Sequence, residues 1–127
     1  MSAWAGREAL AADDNEDSRK LASLMLKRAG FTVHQAEDGA QALACARNSA
    51  LSVILMDLEM PVMSGLEAIR AIRAEAASPG VRIIGLSAHA DQRARDECLA
   101  AGADDYLVKP LRGAELTRIL ERFIGAA

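Results

Sequence analysis

Five polar residues that together could carry out phosphate chemistry stand at the ends of apolar segments of this sequence. Asp13 and Asp14 follow the first segment, and Asp57 ends the third. Ser87 ends the fourth segment and Lys109 the fifth. Clustered carboxylates raise one another's pKa unless a cation neutralises them, and oxygen ligands suit a hard ion, with Mg²⁺ favoured where a phosphate joins the shell. A carboxylate held beside such an ion can attack a phosphoryl group and form an acyl phosphate.

These residue types predict separate roles within one site. Asp57 is the expected nucleophile, and Asp13 and Asp14 are expected to hold the cation, Mg²⁺ or alternatively Mn²⁺. Lys109 and Ser87 would bind the oxygens of the phosphoryl group. Taken singly, each has an ordinary structural interpretation, since Asp14 and Ser87 could cap helices and Lys109 could be a solvated turn residue. The coincidence of all five at strand ends favours the chemical interpretation.

The elements that must position these residues alternate along the chain. Leu51–Asp57 and Val81–Ser87 are continuous apolar runs of strand length, which is typical of strands covered on both faces. With three weaker segments they predict strands, each followed by a helix, near residues 8–13, 31–36, 51–57, 81–87 and 103–109. Five such units predict an α/β fold with a parallel sheet, which binds ligands at its carboxyl edge. The first strand is the weakest prediction, because Glu8–Asp13 is poor in β-branched residues.

Helical periodicity separates the predicted strands. The clearest apolar stripe lies in the last helix, at Leu116, Ile119, Leu120, Phe123 and Ile124. In the first helix the same spacing places the buried face at Leu21, Leu24, Met25 and Arg28, and Gly30 stands where a C-cap belongs. A further helix is expected to start near Ser64-Gly65, and one over Asp91–Ala101 has a weak apolar face.

Length and composition exclude several classes of protein. The 127 residues suit a single domain spanning 1–127, in which we expect residues 1–7 to form a loose segment. With a net charge of −3, the chain is not expected to be attracted to nucleic acid or to an anionic membrane surface. No apolar run is long enough to span a membrane, and the first residues do not resemble a signal peptide. Cys45 and Cys98 are single, so buried or half-buried thiols are expected. A cytoplasmic location fits these features.

The polar residues and their surroundings resemble, over nearly the whole chain, the receiver domains of two-component response regulators. The matching segments are 12–16 (ADDNE), 54–65 (ILMDLEMPVMSG), 84–88 (IGLSA) and 102–110 (GADDYLVKP). The resemblance implies a flavodoxin-like (βα)5 fold with strand order 2-1-3-4-5 and transfer of phosphate from a phosphohistidine to Asp57. It implies that Asp14, Asp57 and the backbone carbonyl of Glu59 bind the cation directly, and that Asp13 acts through water. It also implies a cis peptide between Lys109 and Pro110.

The same resemblance assigns a signalling role to Tyr106, the only tyrosine of the chain. Phosphorylation would draw Ser87 inward, and Tyr106 would follow into the space vacated. The surface of helix four, strand five and helix five would thereby shift between two states in equilibrium. A phosphorylation-dependent dimer is a further expectation. Without the resemblance, Tyr106 is a half-buried strand aromatic.

Several residues depart from the usual family pattern. Ser64 replaces an acid and could cap the following helix, Ala11-Ala12 make a thin first strand, and Gly85 could loosen the fourth strand. Glu59 and His89 lie two residues past Asp57 and Ser87, respectively. We expect these two to tune the lifetime of the phosphoryl group by screening or orienting the attacking water.

Expected partners are a histidine kinase, a histidine phosphotransfer domain, or both, with the receiver either free-standing or part of a hybrid kinase. The exposed face of the first helix, with Arg19, Lys20 and Lys27, could contribute contacts or be merely solvated. The domain is expected to catalyse only its own phosphorylation and dephosphorylation, and not the turnover of an external substrate. An aspartyl-phosphate phosphatase of the haloacid dehalogenase type would need a second aspartate two residues past Asp57, where this chain has Glu59. A pseudo-receiver that binds partners without phosphorylation is the other alternative.

Overall fold

The computed structural model describes residues 4–125, which form alternating strands and helices. The strands are β1 (Glu8–Ala12), β2 (Thr32–Ala36), β3 (Leu51–Asp57), β4 (Arg82–Ser87) and β5 (Asp105–Val108). The helices are α1 (Glu16–Ala29), α2 (Gly39–Asn48), α3 (Gly65–Glu75), α4 (Gln92–Ala101) and α5 (Gly113–Ile124). All neighbouring strands pair in parallel, in the order β2-β1-β3-β4-β5. This confirms the predicted α/β fold and its strand order.

Helices cover both faces of the sheet, which explains the continuous apolar run of β3. Ile54 and Met56 of β3 pack with residues of α2 and α3, while Val53 and Leu55 pack with residues of α1 and α5. The predicted stripe of α5 is confirmed: Leu116, Ile119 and Leu120 are buried, and the last two members pack partly buried on the same cluster. Two apolar layers thus hold the sheet from either side.

The weakly predicted first strand forms in the middle of the sheet. All five of its residues, Glu8 to Ala12, pair with β2 on one side and with β3 on the other. Its three alanines and Leu10 are almost fully buried. Tertiary pairing therefore outweighs the low β propensity of alanine. The strand ends one residue earlier than predicted. Asp13 still donates its backbone N–H to the Ala36 carbonyl at 3.0 Å, but its own carbonyl accepts from Arg19 instead of from a neighbouring strand.

The predicted buried face of α1 is wrong for Leu21, Leu24 and Arg28, and only Met25 packs partly buried on the core. Leu21 and Leu24 are 41% and 44% exposed, and the helix instead buries Arg19, Ala22, Ser23 and Leu26. Small side chains and a hydrogen-bonded guanidinium face the sheet. The spacing of the leucines therefore does not indicate which face of the helix is buried. Of the three charged residues expected on the exposed face of α1, Lys20 and Lys27 are exposed, but Arg19 is buried. Gly30 is the C-cap, as predicted, with φ 113°.

The N-terminal segment differs from the expected loose one. Residues 1–3 lie outside the described residues, but Trp4 is 3% exposed and stacks on Phe31 with ring centroids 6.1 Å apart. Its indole N–H donates to the Gly125 carbonyl at 2.8 Å, and the Gly6 N–H donates to the Gly30 carbonyl at 3.2 Å. The indole therefore joins both ends of the described chain to the α1 side of the sheet.

Gly85 does not leave a gap in β4, contrary to the expected loosening. A Cβ at this position would lie 2.3 Å from the Cys98 sulfur, which fills the space together with Leu58. Both cysteines are free, with Cys98 buried and Cys45 half-buried, as predicted. Burial raises the pKa of the Cys98 thiol to about 11, so it packs as a neutral apolar group.

A charged cluster closes the amino-terminal edge of the sheet. The guanidinium of Arg73 donates to the carbonyls of Gly102 and Val81 and to the carboxylate of Asp104, at 2.7–2.9 Å. Asp104 also accepts from the Ile83 N–H at 2.8 Å and from Arg82 at 3.2 Å. This cluster ties α3 to the end of α4 and to the starts of β4 and β5.

None of the helices within residues 4–125 combines the length and the apolarity that crossing a membrane requires.

Candidate functional site

The parallel register brings four strand ends to the carboxyl edge of the sheet. One carboxylate oxygen from each of Asp13, Asp14 and Asp57 lies within 4.8 Å of the other two. Asp13 and Asp57 are 2% and 4% exposed, whereas Asp14 is exposed to solvent. The structure therefore brings together the carboxylates that the sequence pattern grouped.

The loop after Asp57 is held close to this cluster by Gly65. A Cβ at Gly65 would lie 2.1 Å from the Asp57 carbonyl oxygen, so only glycine allows α3 to begin here. Ser64 caps the helix as predicted: its hydroxyl accepts from the Glu67 N–H, and the Glu67 carboxylate accepts from the Ser64 N–H. This capping box fixes the entry of α3 against the end of β3.

Lys109 crosses the cluster from the end of β5. Its ammonium donates to Asp13 Oδ2 at 2.8 Å and lies 3.6 Å from Asp57 Oδ1. Its backbone N–H donates to the Ser87 carbonyl at 2.8 Å, and the peptide to Pro110 is cis, as the resemblance implies. Burial alone would lower the pKa of Lys109, but the hydrogen bond to Asp13 and the charge of Asp57 outweigh it and raise that pKa. The lysine is thus a fixed positive charge.

Asp57 carries the largest electrostatic perturbation of the site. Burial, with the nearby Asp13 carboxylate adding to it, raises the pKa of Asp57 to about 7, against opposing effects of the Glu59 N–H and the Lys109 ammonium. Three carboxylates thus lie near one ammonium, which leaves an excess of negative charge. Burial, and after it the charge of Asp13, disfavours ionisation of the nucleophile. A divalent cation would neutralise that excess, and a set of carboxylate oxygens matches the ligand preference of Mg²⁺. The residues present therefore fit a hard cation.

Ser87 lies beside the two residues expected to tune the phosphoryl lifetime. Its hydroxyl donates to Glu59 Oε1 at 3.3 Å and accepts from the His89 N–H at 3.1 Å. The His89 ring nitrogen Nε2 also lies 3.3 Å from Glu59 Oε1. Glu59, Ser87 and His89 therefore form one polar group along the margin of the acidic cluster.

Tyr106 is connected to this polar group through the backbone. Its ring is 6% exposed, and its hydroxyl donates to the carbonyl of His89. An open groove of about 260 Å³ lies beside it, between the start of α4 and the residues of β5 and α5. A rearrangement at Ser87 thus has a continuous path of hydrogen bonds to this groove.

Sequence reasoning missed one residue that reaches the site. The guanidinium of Arg19 lies under the acidic loop and donates to the backbone carbonyl of Asp13 at 3.1 Å. An arginine in a charged helix is normally solvated, and nothing in its spacing indicated burial. Only the packing of α1 across β1 and β2 shows it.

Comparisons with known proteins agree with this geometry. The model of the family described as "Response regulator receiver domain" matches residues 9–121. The chain is 37% identical over 121 residues to hybrid signal transduction histidine kinase I of Dictyostelium discoideum, covering 90% of this chain but only 7% of that protein. The receiver domain of a Pseudomonas aeruginosa sensor histidine kinase, solved with a magnesium ion coordinated in its active site cleft, is 43% identical. That likeness covers 96% of this chain and 100% of the other, with a TM-score of 0.87.

A second solved structure adds a partner to the comparison. It is a co-crystal of the Saccharomyces cerevisiae histidine phosphotransfer protein Ypd1 with the receiver domain of its downstream response regulator Ssk1. The likeness has 25% identity and a TM-score of 0.87, and covers 94% of this chain and 90% of the matched chain.

Proposed function

This chain belongs to the family of response regulator receiver domains, and we propose that Asp57 accepts a phosphoryl group from a phosphohistidine. The observation that carries this proposal is the meeting of three carboxylates and one ammonium at the ends of three parallel strands, β1, β3 and β5. Neutralising the excess charge of this cluster requires a cation. The buried carboxylate of Asp57, next to that cation, could then attack a phosphoryl group as a nucleophile.

The transfer is a displacement at phosphorus. An oxygen of the Asp57 carboxylate forms a bond to phosphorus while the bond from phosphorus to the imidazole nitrogen breaks, and the electron pair leaves with the histidine. Because Asp57 must be ionised to attack, its raised pKa has to fall when the cation binds. Lys109 is placed to bind one phosphoryl oxygen, and Ser87 would bind another after releasing its hydrogen bond to Glu59.

Mg²⁺ is the cation we propose, with Mn²⁺ as the alternative that a metal titration would test. Bound Mg²⁺ supplies positive charge that stabilises the transferring phosphoryl oxygens. Asp14, Asp57 and the Glu59 carbonyl would hold it, with Asp13 acting through water. Beyond its own phosphorylation and dephosphorylation we propose no catalytic turnover for this domain.

The output of the domain is proposed to be a change in the surface of α4, β5 and α5. Ser87 Oγ accepts from the His89 N–H, and the His89 carbonyl accepts from Tyr106, so engaging Ser87 with phosphate would shift the segment on which Tyr106 depends. The groove beside Tyr106 is where such a shift reaches the surface. A dimer formed through this surface on phosphorylation is part of the proposal.

The proposed partner is a histidine phosphotransfer domain or a histidine kinase, which would place this domain in the cytoplasm. The exposed large apolar side chains within residues 4–125 are Leu21, Leu24 and Val62. Leu21 borders a cavity of about 70 Å³ that also includes Asp13 and Lys109, and Val62 lies in the loop following Asp57. Leu21 and Val62 flank the acidic site, and Leu24 follows Leu21 by three residues on the same part of α1. A partner that presents its histidine to Asp57 and docks along α1 would cover these side chains.

Mass spectrometry tests the phosphorylation directly. The full chain, incubated with Mg²⁺ and a small phosphodonor, should gain about 80 Da, the mass of one phosphoryl group. Asp57→Asn should abolish the gain, whereas Asp96→Asn, which changes an exposed aspartate of α4, should not. A wild-type chain that gains no mass would contradict the proposal and favour a pseudo-receiver, while turnover of excess donor without an adduct would favour a phosphatase.

The partner surface is tested by changing the donor. Leu24→Glu should slow transfer from a phosphorylated histidine phosphotransfer domain while leaving phosphorylation by the small donor unchanged. Lys27→Ala, also on an exposed part of α1, is the control. Equal slowing with both donors would mean that Leu24 acts on the site itself rather than on docking.

A further inference from the structure

Arg19 is a buried cation of α1 whose contacts all lie on one side of the acidic site. It is 9% exposed. Its Nη1 donates to the Asp13 carbonyl at 3.1 Å, and its Nε donates to the Gln35 side-chain carbonyl at 3.1 Å. Its Nη2 lies 3.7 Å from the Glu37 carboxylate. One guanidinium therefore joins α1, the end of β1 and the end of β2.

With the hydrogen bond from Arg19, both the backbone and the side chain of Asp13 are held by hydrogen bonds. Asp13 lies just past the last pair of the β1–β2 ladder, Ala12 with Ala36. Its N–H donates to the Ala36 carbonyl, its Oδ1 accepts from the Asn15 N–H, and its Oδ2 accepts from Lys109. The carbonyl of Asp13 has left the ladder, and Arg19 supplies its donor. This carbonyl belongs to the peptide that carries Asp14, so the guanidinium sets the direction in which the acidic pair leaves the sheet.

The charge of Arg19 is not among the groups that shift the pKa of Asp57. The pKa of Asp57 is governed by burial, the Glu59 N–H, Asp13 and Lys109. The guanidinium instead faces Glu37. Its effect on the site is therefore expected to come through the backbone geometry of Asp13 and Asp14, not through its field.

We propose that Arg19 is a positioning residue for cation binding: by holding the Asp13 carbonyl it pre-forms the arrangement in which Asp13 and Asp14 meet Asp57. The inference rests on the proposed Mg²⁺ site. Residues that orient metal ligands without touching the metal commonly contribute substantially to metal affinity. Without Arg19, the peptide between Asp13 and Asp14 would have to be ordered by the cation itself.

Calorimetric titration of the full chain with Mg²⁺ tests this inference. Arg19→Met keeps the length of the side chain but removes its donors, and should weaken Mg²⁺ binding about tenfold. Arg19→Lys, which keeps the charge but loses the forked geometry, should weaken binding less, and it carries the test if Arg19→Met does not fold. Lys20→Met removes one positive charge from the next, exposed position and is the control, for which little change is expected.

A second readout separates positioning from general stability. In phosphorylation by a small donor, Arg19→Met should raise the Mg²⁺ concentration needed for half-maximal rate while leaving the rate at saturating Mg²⁺ nearly unchanged. If Arg19→Met lowers the melting temperature of the metal-free chain but binds Mg²⁺ as tightly as wild type, or more tightly, the inference is wrong. A wild-type chain that binds no Mg²⁺ would overturn the proposed function as well.

Discussion

Charged side chains cluster at both edges of the sheet, but the charges of the two clusters are balanced differently. At the amino-terminal edge, the carboxylate of Asp104 accepts from Arg73, Arg82 and the Ile83 N–H. At the carboxyl edge, the Lys109 ammonium pairs with both Asp13 and Asp57, and the carboxylate of Asp14 lies within 4.8 Å of theirs. The first cluster is neutralised by the chain itself, whereas the second keeps excess negative charge.

This difference in charge balance distinguishes a cluster that only stabilises the fold from one that can bind a cation. A buried carboxylate without enough cationic partners costs free energy, so an imbalance persists only where something outside the chain corrects it. The pKa of Asp57 is raised to about 7 by burial, and the unbalanced charge of Asp13 adds to that rise. The balance of charge, more than the number of acidic residues, marks the functional edge.

The largest effect on stability is expected at the neutralised edge. Arg73→Met would leave the Gly102 and Val81 carbonyls without their donor and Asp104 without its main partner, lowering the free energy of unfolding by about 2–4 kcal/mol. Mg²⁺ affinity should not change, because the acidic site lies at the other edge. Denaturant unfolding and calorimetry measure the two quantities.

An exposed ion pair provides the matched control for that experiment. Arg47 bonds to both oxygens of Glu75 at 2.6 and 2.7 Å, but both side chains are largely solvated. Arg47→Met should therefore change stability little. Equal losses for Arg73→Met and Arg47→Met would mean that the Arg73 cluster contributes no more than a surface pair.

A smaller effect, of opposite sign, is expected at the acidic edge in the absence of Mg²⁺. The native state binds the Asp57 proton more tightly than the unfolded chain, because the folded pKa of about 7 exceeds the ordinary 3.8. The resulting stabilisation is complete below about pH 4 and is lost as the pH rises through 7. Asp57→Asn avoids this loss, so its melting temperature should exceed that of wild type by about 5 °C at pH 8 and by much less at pH 4.

Saturating Mg²⁺ should reverse the order of the two proteins, since it binds the ionised wild-type cluster and stabilises it. Thermal unfolding at several pH values, with and without Mg²⁺, would give all of these comparisons. A constant difference between wild type and Asp57→Asn across pH 4–8 would show that Asp57 ionises normally.

The smallest effect is expected at the margin of the acidic site. Glu59 and His89 cover the Ser87 side of the cluster, so Glu59→Ala and His89→Ala should admit water and speed autodephosphorylation severalfold. Decay of the phosphorylated chain, followed by mass, measures the rate. His34→Ala removes a histidine that also contacts a glutamate, Glu8 at 2.8 Å, but lies on the outer strand, and should leave the rate unchanged. Unchanged decay in Glu59→Ala and His89→Ala would exclude the tuning role.

The sequence predicted most of the carboxyl edge, because every chemical group there stands where an apolar strand ends. Strand positions and order, the acidic cluster, the Ser64 cap and the cis peptide at Pro110 all agree with the structure. Periodicity and strand position indicate the strands, the acidic cluster and the cap, whereas the strand order and the cis peptide are implied by the family resemblance. The roles proposed for the site residues stay predictions.

The errors have a common physical origin in side chains whose surroundings come from distant segments. The buried face of α1 was misplaced because helical spacing alone did not indicate that Ala22 and Ser23 pack against the sheet while Leu24 is exposed. The sequence does not indicate that Trp4 is buried, because its partners, Phe31 and Gly125, are remote in sequence. Arg19 was expected in solvent because its three acceptors come together only in the folded chain.

The ionisation of Asp57 shows whether the acidic edge lacks a neutralising cation. A carbon-13 NMR titration of the aspartate carboxyl groups, assigned with Asp57→Asn, would follow this residue with and without Mg²⁺. Burial, with the charge of Asp13 adding to it, predicts a midpoint near pH 7 without Mg²⁺, and the positive charge of bound Mg²⁺ predicts a clear fall in the midpoint when Mg²⁺ is saturating. A midpoint near 4 under both conditions would contradict the account, because the acidic edge would then be as well neutralised as the opposite one.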